Sequence, residues 1–190
     1  NEDEIVLNAF AIVRKVPGLE GLRLLVAPRH PQRFDQVFKL IESTAFRSCR
    51  RSALEVNGKE CAEADIILLD SIGELAGIYK YASVVLVGGS LVPKGGHNIL
   101  EPAAEAKPVI VGPFVENFLD IVDEFKRRDA VVQLRSHLES ELVQELSATL
   151  IRLLKDPEES SRLSMNAARG VAENKGATRR TVDAIAGYLF

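Results

Sequence analysis

The chain has 190 residues, of which 46% are apolar and 27% are charged, a composition that supports a hydrophobic core and excludes disordered, collagen-like and disulfide-scaffold proteins. Twenty-four Lys and Arg residues against 27 Asp and Glu residues give a formal net charge of −3, which argues against a nucleic-acid partner. Apolar runs such as Ile66 to Leu69 are much shorter than the roughly 18 residues of a membrane-spanning helix, so no span is predicted.

The cysteines and the start of the chain bear on its cellular context. Cys49 and Cys61 are isolated, and without a signal-peptide pattern they predict reduced thiols in a cytosolic protein. The only methionine is Met165, and the chain begins directly in a helical pattern at Asn1. We therefore expect a piece of a longer polypeptide, although removal of an initiator methionine is an alternative.

Apolar spacing predicts helices and strands in alternation through the first half of the chain. A helix is predicted over residues 3–16, where Pro17-Gly18 ends the pattern. The elements predicted after it are a buried strand over 22–27, a helix over 32–42, a weak strand near 52–56, a strong strand over 66–69 and a short helix over 73–81.

The second half of the chain continues this alternation. Continuous β-branched runs predict strands over 84–87 and 109–111, and a weaker strand is predicted over 131–134. Residues 136–189 are predicted to be helical, with breaks at Asp156-Pro157 and Gly176. The whole pattern predicts an α/β fold with a doubly wound parallel sheet, in which ligands bind at the carboxyl ends of the strands.

Two basic residues follow the first predicted strand, in the segment Pro28-Arg29-His30-Pro31. The flanking prolines make the turn rigid, and the Arg29 guanidinium is shaped to hold a phosphate or carboxylate through two hydrogen bonds. An ion pair between Arg29 and a neighbouring carboxylate is the structural alternative, and His30 is a weaker candidate.

The segment Asp70-Ser71-Ile72-Gly73-Glu74-Leu75 follows the strand predicted over 66–69. Asp70 or Ser71 can cap the next helix, and free backbone N–H groups at this turn can donate hydrogen bonds to an anion or a base edge. Helix capping alone would also explain these residues.

The densest signal is the glycine-rich segment that follows the strand predicted over 84–87. Four glycines within residues 88–96 allow the backbone to approach a ligand closely. The next helix is predicted to begin near Asn98, where its N-terminus can bind an anion, and Glu101 can accept hydrogen bonds from sugar hydroxyls. The segment is neither a G-x-G-x-x-G fingerprint nor a Walker loop. A flexible turn before an acidic helix start is the structural alternative.

Searches for other chemistry give little. The three histidines lack the spacing of metal ligands, the cysteines form no C-x-x-C pair and no G-x-S-x-G elbow occurs, so neither a metal nor a cofactor is predicted. The Arg47, Arg50 and Arg51 cluster predicts a solvated face, because no aromatic residues lie between the arginines to stack on bases.

Five segments together resemble the Kdo transferases of lipopolysaccharide synthesis, which move 3-deoxy-D-manno-octulosonic acid (Kdo) from its CMP ester to a lipid A precursor. These segments stand in the family's order and approximate spacing at 28–30, 70–75, 88–90, 95–103 and 107–113. The resemblance covers nearly the whole chain but only the C-terminal half of a family member. It implies that residues 1–190 form one nucleotide-sugar-binding domain, the Rossmann-like C-terminal domain of a GT-B glycosyltransferase, without the N-terminal acceptor domain.

The resemblance also implies a donor site. It places Arg29 and the glycine-rich segment near the phosphate of CMP, the ribose near Glu101 and cytosine against the Ile72-Gly73 turn. The substrate-binding residues it implies are Arg29, Ile72, Gly73, Gly89, Ser90, Gly95, Gly96, His97, Asn98, Glu101 and Asn117. The catalytic carboxylate, the acceptor contacts and any contact with the cytoplasmic side of the inner membrane would belong to the other half, so this chain alone is expected to be soluble and inactive.

Two positions depart from the family pattern. Ile99 stands where proline is usual, and Phe114 stands where histidine is frequent, while Asn117 is retained.

Two alternative functions stay open at this point. One is another GT-B nucleotide-sugar enzyme, such as a UDP-N-acetylglucosamine 2-epimerase-like protein, and the other is a nucleotide-binding module without catalytic activity.

Overall fold

The computed structural model describes residues 2–54 and 58–189. Eight helices and six strands occur along these residues: α1 (Glu2–Val13), β1 (Leu24–Val26), α2 (Phe34–Glu42), β2 (Ser48–Arg50), α3 (Gly58–Ala62), β3 (Ile66–Leu68), α4 (Leu75–Ile78), β4 (Val85–Val87), α5 (Leu100–Ala104), β5 (Val109–Val111), α6 (Leu119–Arg127), β6 (Val132–Gln133), α7 (Glu139–Lys155) and α8 (Pro157–Leu189). Short 3₁₀ turns span Pro31–Arg33, Arg51–Ala53, Tyr79–Tyr81 and Glu116–Phe118.

The chain divides into two compact units, each with a three-stranded sheet. The first unit comprises residues 1–78 and 138–151, and the second comprises residues 79–137 and 152–190. The strand order is β1-β3-β2 in the first unit and β4-β5-β6 in the second, and every strand pair is parallel. The predicted α/β class with parallel strands is confirmed.

The core of the first unit forms around β3, the central strand of its sheet. Leu24 and Val26 of β1 pair in register with Ile66 and Leu68 of β3. The buried residues packed around these strands are Leu7, Phe10, Val37, Ile41, Ile66 and Leu68, supplied by α1, α2 and β3. Full burial of each large aliphatic side chain contributes about 1.5–3 kcal/mol, so this cluster fixes the sheet on which the strand-end residues stand.

Asp65, immediately before β3, connects three segments of the first unit at the amino edge of its sheet. Its side chain accepts hydrogen bonds from the Arg14 guanidinium at 3.0 Å and from the Arg47 backbone N–H at 3.0 Å. Burial alone would raise the pKa of Asp65, but the hydrogen bonds from Arg47 and Arg14 outweigh burial and hold the pKa below its usual range. The ionised carboxylate therefore stabilises the folded unit.

The core of the second unit forms between its sheet and helices α6 and α8. Phe125 of α6 is fully buried, together with Val109 and Val111 of β5. Gly170 allows this packing, because a Cβ at that position would lie 3.2 Å from the Phe125 ring.

Along residues 2–54 and 58–189, no helix combines the length and apolar character needed to cross a membrane.

Several predicted boundaries are wrong. The weak strand expected near 52–56 lies earlier, at Ser48–Arg50, and residues 51–53 form a 3₁₀ turn, while residues 55–57 lie outside the described part of the chain. The expected break at Gly176 is absent because α8 continues through it, and one glycine costs a helix only about 1 kcal/mol. Helices α3 and α6 were not predicted.

The prediction of separate reduced thiols is also wrong. Cys49 of β2 and Cys61 of α3 form a disulfide, with their Cα atoms 5.3 Å apart. Both side chains are buried in one small cluster with Ala64. The pairing was missed because α3, which packs against β2, was not predicted, and only that packing brings the two positions together.

Candidate functional site

The candidate residues of the first unit lie at the carboxyl edge of its sheet. Arg29 follows β1, and Ile72 and Gly73 follow β3. Because β1 and β3 are parallel neighbours, the residues after them emerge at the same edge. The structure therefore places Arg29 and the Ile72-Gly73 turn on one side of this unit.

Arg29 is exposed and makes no ion pair with any carboxylate in residues 2–54 and 58–189. The structural alternative considered for this residue, an ion pair with a neighbour, is therefore not observed. His30 is exposed as well, and its side chain does not cap the 3₁₀ turn that begins at Pro31. The Arg29 guanidinium keeps its full hydrogen-bonding capacity for an external anion.

The turn after β3 presents its centre to solvent. The side chain of Ile72 is 82% exposed. Gly73 has a φ of +88°, a conformation that favours glycine, and a Cβ there would meet no described atom within 4 Å. An exposed apolar side chain beside an open backbone suits contact with a flat, partly apolar ligand such as a nucleobase.

Asp70 does not use its carboxylate to cap α4. One carboxylate oxygen accepts a hydrogen bond from the Ser52 backbone N–H at 2.8 Å, and the other accepts one from the Ser52 hydroxyl at 2.6 Å. Asp70 thereby connects the turn after β3 to the Arg51–Ala53 turn after β2. The sequence offered Asp70 as a possible cap of the next helix, but in the structure its carboxylate binds Ser52 instead.

Glu74 makes a second connection between the same two turns. The Arg51 guanidinium Nε lies 2.9 Å from a carboxylate oxygen of Glu74. The nearby Ser71 hydroxyl and the Arg51 charge both hold the pKa of the Glu74 carboxyl below its usual range. The Ser71 hydroxyl itself is buried and has no hydrogen bond of good geometry to any described residue.

The three clustered arginines, predicted to form a solvated face, keep partly exposed side chains and also form ion pairs. Arg47 pairs with Glu63 at 3.1 Å and with Asp65 at 3.4 Å. The other two arginines also have carboxylate partners: Asp35 at 2.7 Å and Asp70 at 3.9 Å for Arg50, and Glu74 at 2.9 Å for Arg51. Their carboxylate partners lie elsewhere in the sequence, so the pattern of the cluster alone did not reveal them.

In the second unit, residues 88–98 form a loop, here called the glycine-rich loop, that is folded by backbone hydrogen bonds. The Gly96 N–H donates to the Gly89 carbonyl at 2.8 Å, which closes the loop on itself. The Phe114 N–H donates to the Ser90 carbonyl, and the Asn117 N–H donates to the Gly95 carbonyl, both at 3.0 Å. The segment after β5 thus holds the loop that follows β4.

Ser90 joins the ends of β4 and β5. Its side chain is fully buried; the hydroxyl donates to the Val87 carbonyl at 2.5 Å and accepts a hydrogen bond from the Gly112 N–H at 2.8 Å. A Cβ on Gly112 would lie 2.7 Å from the Leu91 nitrogen and closer still to the Ser90 carbonyl. The Ser90 hydroxyl, implied to bind substrate, is therefore occupied within the fold.

Asn117 and Gly95 fit against each other. The Asn117 side-chain amide donates to the Lys94 carbonyl at 3.2 Å. Gly95 has a φ of +82°, and a Cβ there would lie 2.6 Å from the Asn117 Cγ and 2.9 Å from its Oδ1. Asn117 therefore holds the glycine-rich loop in place, and any side chain at position 95 would have to displace the Asn117 amide.

The last predicted residues lie where the loop enters α5. The His97 ring packs over Gly89, where a Cβ would lie 3.0 Å from two ring atoms. Asn98 Oδ1 accepts a hydrogen bond from the Leu100 N–H at 2.9 Å. Helix α5 begins at Leu100 rather than near Asn98 and has only five residues, so the helix dipole expected to bind an anion is small.

Glu101 is exposed in the first turn of α5. Its charge also reaches Tyr79, since burial first and then the Glu101 carboxylate raise the pKa of that phenol. Because the Glu101 side chain is exposed, its carboxylate is available to accept hydrogen bonds.

Sequence reasoning missed three features of the two strand edges. Gly112 is required by its close contact with Ser90; the sequence showed it only as a glycine after a strand, within the family-like segment 107–113, and gave it no role. Ser52 bonds to Asp70, and Phe114 packs edge-on against His137 with ring centroids 5.2 Å apart.

In the part of the chain that the structure describes, no group of three His, Cys, Asp or Glu side chains is arranged to hold a metal ion.

Comparison with curated proteins gives consistent relatives, although no protein-family model matches the chain. The chain is 36% identical over 189 residues to the 3-deoxy-D-manno-octulosonic acid transferase of Haemophilus influenzae. This alignment covers 99% of this chain and 42% of that protein. The same enzyme of Bordetella pertussis is 36% identical over 166 residues, covering 87% of this chain and 37% of that protein. The chain thus spans less than half the length of these relatives.

A solved structure matches almost from end to end. The C-terminal CMP-Kdo binding domain of WaaA from Acinetobacter baumannii has a TM-score of 0.64 and 30% sequence identity, and the match covers 88% of this chain and 98% of that chain. The predicted fold class, a Rossmann-like α/β domain of the GT-B C-terminal type, is confirmed by this match. The sequence identity and the shared fold agree, and the chain belongs to the 3-deoxy-D-manno-octulosonic acid transferase family.

Proposed function

We propose that this chain binds CMP-Kdo and forms the donor-binding half of a Kdo transferase, a GT-B glycosyltransferase of lipopolysaccharide biosynthesis. The observation that carries the proposal is the glycine-rich loop after β4, whose backbone is folded by its own hydrogen bonds. Such a loop lets main-chain N–H groups approach a phosphate closely. The family relationship supports the same function.

Charge in the first unit supports an anionic donor. CMP-Kdo carries a phosphodiester and the Kdo carboxylate, and the exposed Arg29 guanidinium has no ion-pair partner among the described residues. A guanidinium can hold either anion through two parallel hydrogen bonds. We assign Arg29 to donor binding, Ile72 and Gly73 to the base, and Glu101 to the ribose.

The transfer step requires groups that we assign to another part of the enzyme. An acceptor hydroxyl of a lipid A precursor would attack the anomeric carbon of Kdo, its proton would pass to a carboxylate base, and CMP would leave with inversion. We propose that this carboxylate, the acceptor site and the contact with the cytoplasmic face of the inner membrane lie in the N-terminal half of the enzyme. The residues of this chain would hold the donor and stabilise the departing CMP.

A binding titration tests the proposal. We expect the 190-residue chain to bind CMP weakly, to bind UDP less well and to transfer no Kdo by itself. Stronger binding of UDP would favour the UDP-sugar alternative, and Kdo transfer by this chain alone would contradict the assignment of the base to another half. Absence of any nucleotide binding by the folded chain would refute the proposal.

Substitutions at the two assigned polar contacts sharpen this test. Arg29→Gln and Glu101→Gln should each weaken CMP binding by about tenfold, the size of one charge-assisted hydrogen bond. Arg169→Gln is the matched control for Arg29→Gln, because Arg169 is exposed on α8 and its replacement removes the same positive charge. Melting curves must show that each variant is folded, and unchanged CMP affinity would remove that residue from the site.

A further inference from the structure

The Arg51–Ala53 turn, at the end of β2, is connected to the turn after β3 by side chains at both of its first two positions. Ser52 bonds to both carboxylate oxygens of Asp70, and Arg51 pairs with Glu74 at 2.9 Å. We propose that Arg51 and Ser52 are positioning residues that hold the Ile72-Gly73 turn in the conformation that recognises the nucleotide base. This inference rests on the proposed donor-binding function.

The topology makes the connection direct. β2 and β3 are parallel neighbours, and Arg50, the last residue of β2, pairs in register with Leu68, the last residue of β3. The two segments that follow therefore leave the same edge of the sheet side by side. Asp70 and Glu74 stand on either side of the Ile72-Gly73 pair, so the two contacts hold both ends of the turn.

The turn has little else to fix its shape. Ile72 is largely exposed, and a Cβ on Gly73 would meet no described atom within 4 Å. The helix that follows, α4, has only four residues. The Asp70 side chain, in contrast, is only 7% exposed; it accepts the Ser52 hydrogen bonds and lies 3.9 Å from the Arg50 guanidinium, so this buried carboxylate is satisfied. The position of the turn therefore depends on these polar contacts, of which the Ser52 hydrogen bonds are the shortest, more than on packing.

Base recognition by a turn requires a fixed backbone. Cytosine and uracil have nearly the same shape, but cytosine carries an amino donor where uracil carries a carbonyl acceptor. A backbone group can distinguish them only if it is held at hydrogen-bond distance from that position. Loss of the contacts that position the turn should therefore reduce the preference for cytosine before it reduces binding of the ribose phosphate.

The test compares three probes on the folded chain: CMP, UMP and ribose 5-phosphate, which lacks a base. We expect Ser52→Ala to lower the ratio of CMP affinity to UMP affinity about fivefold, the scale of one net hydrogen bond, with ribose 5-phosphate affinity unchanged. Ser52→Thr keeps the hydroxyl and should retain the ratio. Ser43→Ala is the matched control, since the Ser43 hydroxyl bonds locally to the Leu40 carbonyl.

Arg51→Gln provides an independent variant if Ser52→Ala fails to fold, because the pair with Glu74 is more exposed than the Asp70 carboxylate. It should lower the same affinity ratio, and Arg51→Lys should restore part of it. A wild-type ratio in a folded Ser52→Ala or Arg51→Gln chain would overturn the positioning role while leaving the proposed function intact. A wild-type chain that binds ribose 5-phosphate but shows no preference for CMP would overturn both this role and the assignment of the turn to cytosine.

Discussion

The turn after β3 and the glycine-rich loop after β4 both follow a strand of a parallel sheet, yet different forces hold them. Polar and charged side chains hold the turn, through Ser52 with Asp70 and Arg51 with Glu74. Backbone hydrogen bonds and close contacts at glycine hold the loop. Charged contacts respond to salt and pH, whereas close contacts respond to atomic volume, so each region should be sensitive to a perturbation that the other tolerates.

The largest expected loss of stability comes from added volume at Gly112, which packs against Ser90 of the glycine-rich loop. Gly112→Ala should destabilise the chain by about 3 kcal/mol or more, because the new Cβ would overlap the Ser90 carbonyl, and overpacking against backbone cannot be relieved by rotating a side chain. Denaturant unfolding measures the loss. Gly21→Ala is the control, since a Cβ at Gly21 meets nothing within 4 Å, and an equal loss in both variants would contradict the close-contact account.

The next effect is a charge change in the first unit. Asp65→Asn should cost about 2 kcal/mol near pH 7, because it removes the ionised acceptor of the Arg14 and Arg47 hydrogen bonds. The folded pKa of Asp65 lies below its usual 3.8, so this stability is complete above about pH 5 and is lost as pH falls through the folded pKa. Denaturant unfolding of the original chain and of Asp65→Asn, measured between about pH 7 and pH 2, should therefore show the difference in their unfolding free energies shrinking as the pH falls.

A control separates this buried carboxylate from an exposed one. Asp35 pairs with Arg50 at 2.7 Å, but the Asp35 side chain is 81% exposed. Asp35→Asn should therefore change stability by less than about 1 kcal/mol. A larger loss from Asp35→Asn than from Asp65→Asn would contradict the role given to burial.

An effect of similar size is expected from the contact between Gly95 and Asn117. Gly95→Ala should cost about 2 kcal/mol, partly from the positive φ and partly from contact with the Asn117 side chain. In an Asn117→Ala background the same change should cost only about 1 kcal/mol, because the backbone strain remains while the contact is removed. Unfolding of the four chains completes the double-mutant cycle, and strict additivity would show that Asn117 does not restrict position 95.

The smallest effect is the salt response of the turn after β3. Arg51→Gln should lower the melting temperature at low salt, and the difference from the original chain should disappear in about 1 M NaCl, where the Debye length falls to about 3 Å. Asn117→Ala serves as the comparison from the loop, because its hydrogen bond to the Lys94 carbonyl involves no ion pair. A salt response of equal size in both variants would remove the distinction between the two regions.

The elements that could be predicted are those whose signal is local. Residues 109–111 form the predicted strand without any change of boundary, because three β-branched residues in succession suit a strand buried on both faces. Arg29 and the Ile72-Gly73 turn could be placed at a sheet edge because parallel strands end together. The start of α5 was predicted too early, since the Asn98 side chain bonds to the Leu100 N–H just before the helix.

The features that could not be predicted join residues distant in sequence. Asp70 was a reasonable helix cap by its position, and only the pairing of β2 with β3 brings Ser52 to its carboxylate. The disulfide between Cys49 and Cys61 depends in the same way on the packing of α3 against β2. The role of Gly112 was not predicted because it depends on the carbonyl of Ser90, which follows a different strand.

The exposure of Ile72 makes position 72 a convenient site for protein engineering. Its side chain is 82% exposed and contributes little to the core, so replacing it leaves folding stability almost unchanged. The supporting contacts at Asp70 and Glu74 lie outside the position being varied. Under the proposed assignment of this turn to the base, a library of substitutions at this one residue can be screened for nucleotide binding while the scaffold stays constant, which separates selection for recognition from selection for folding.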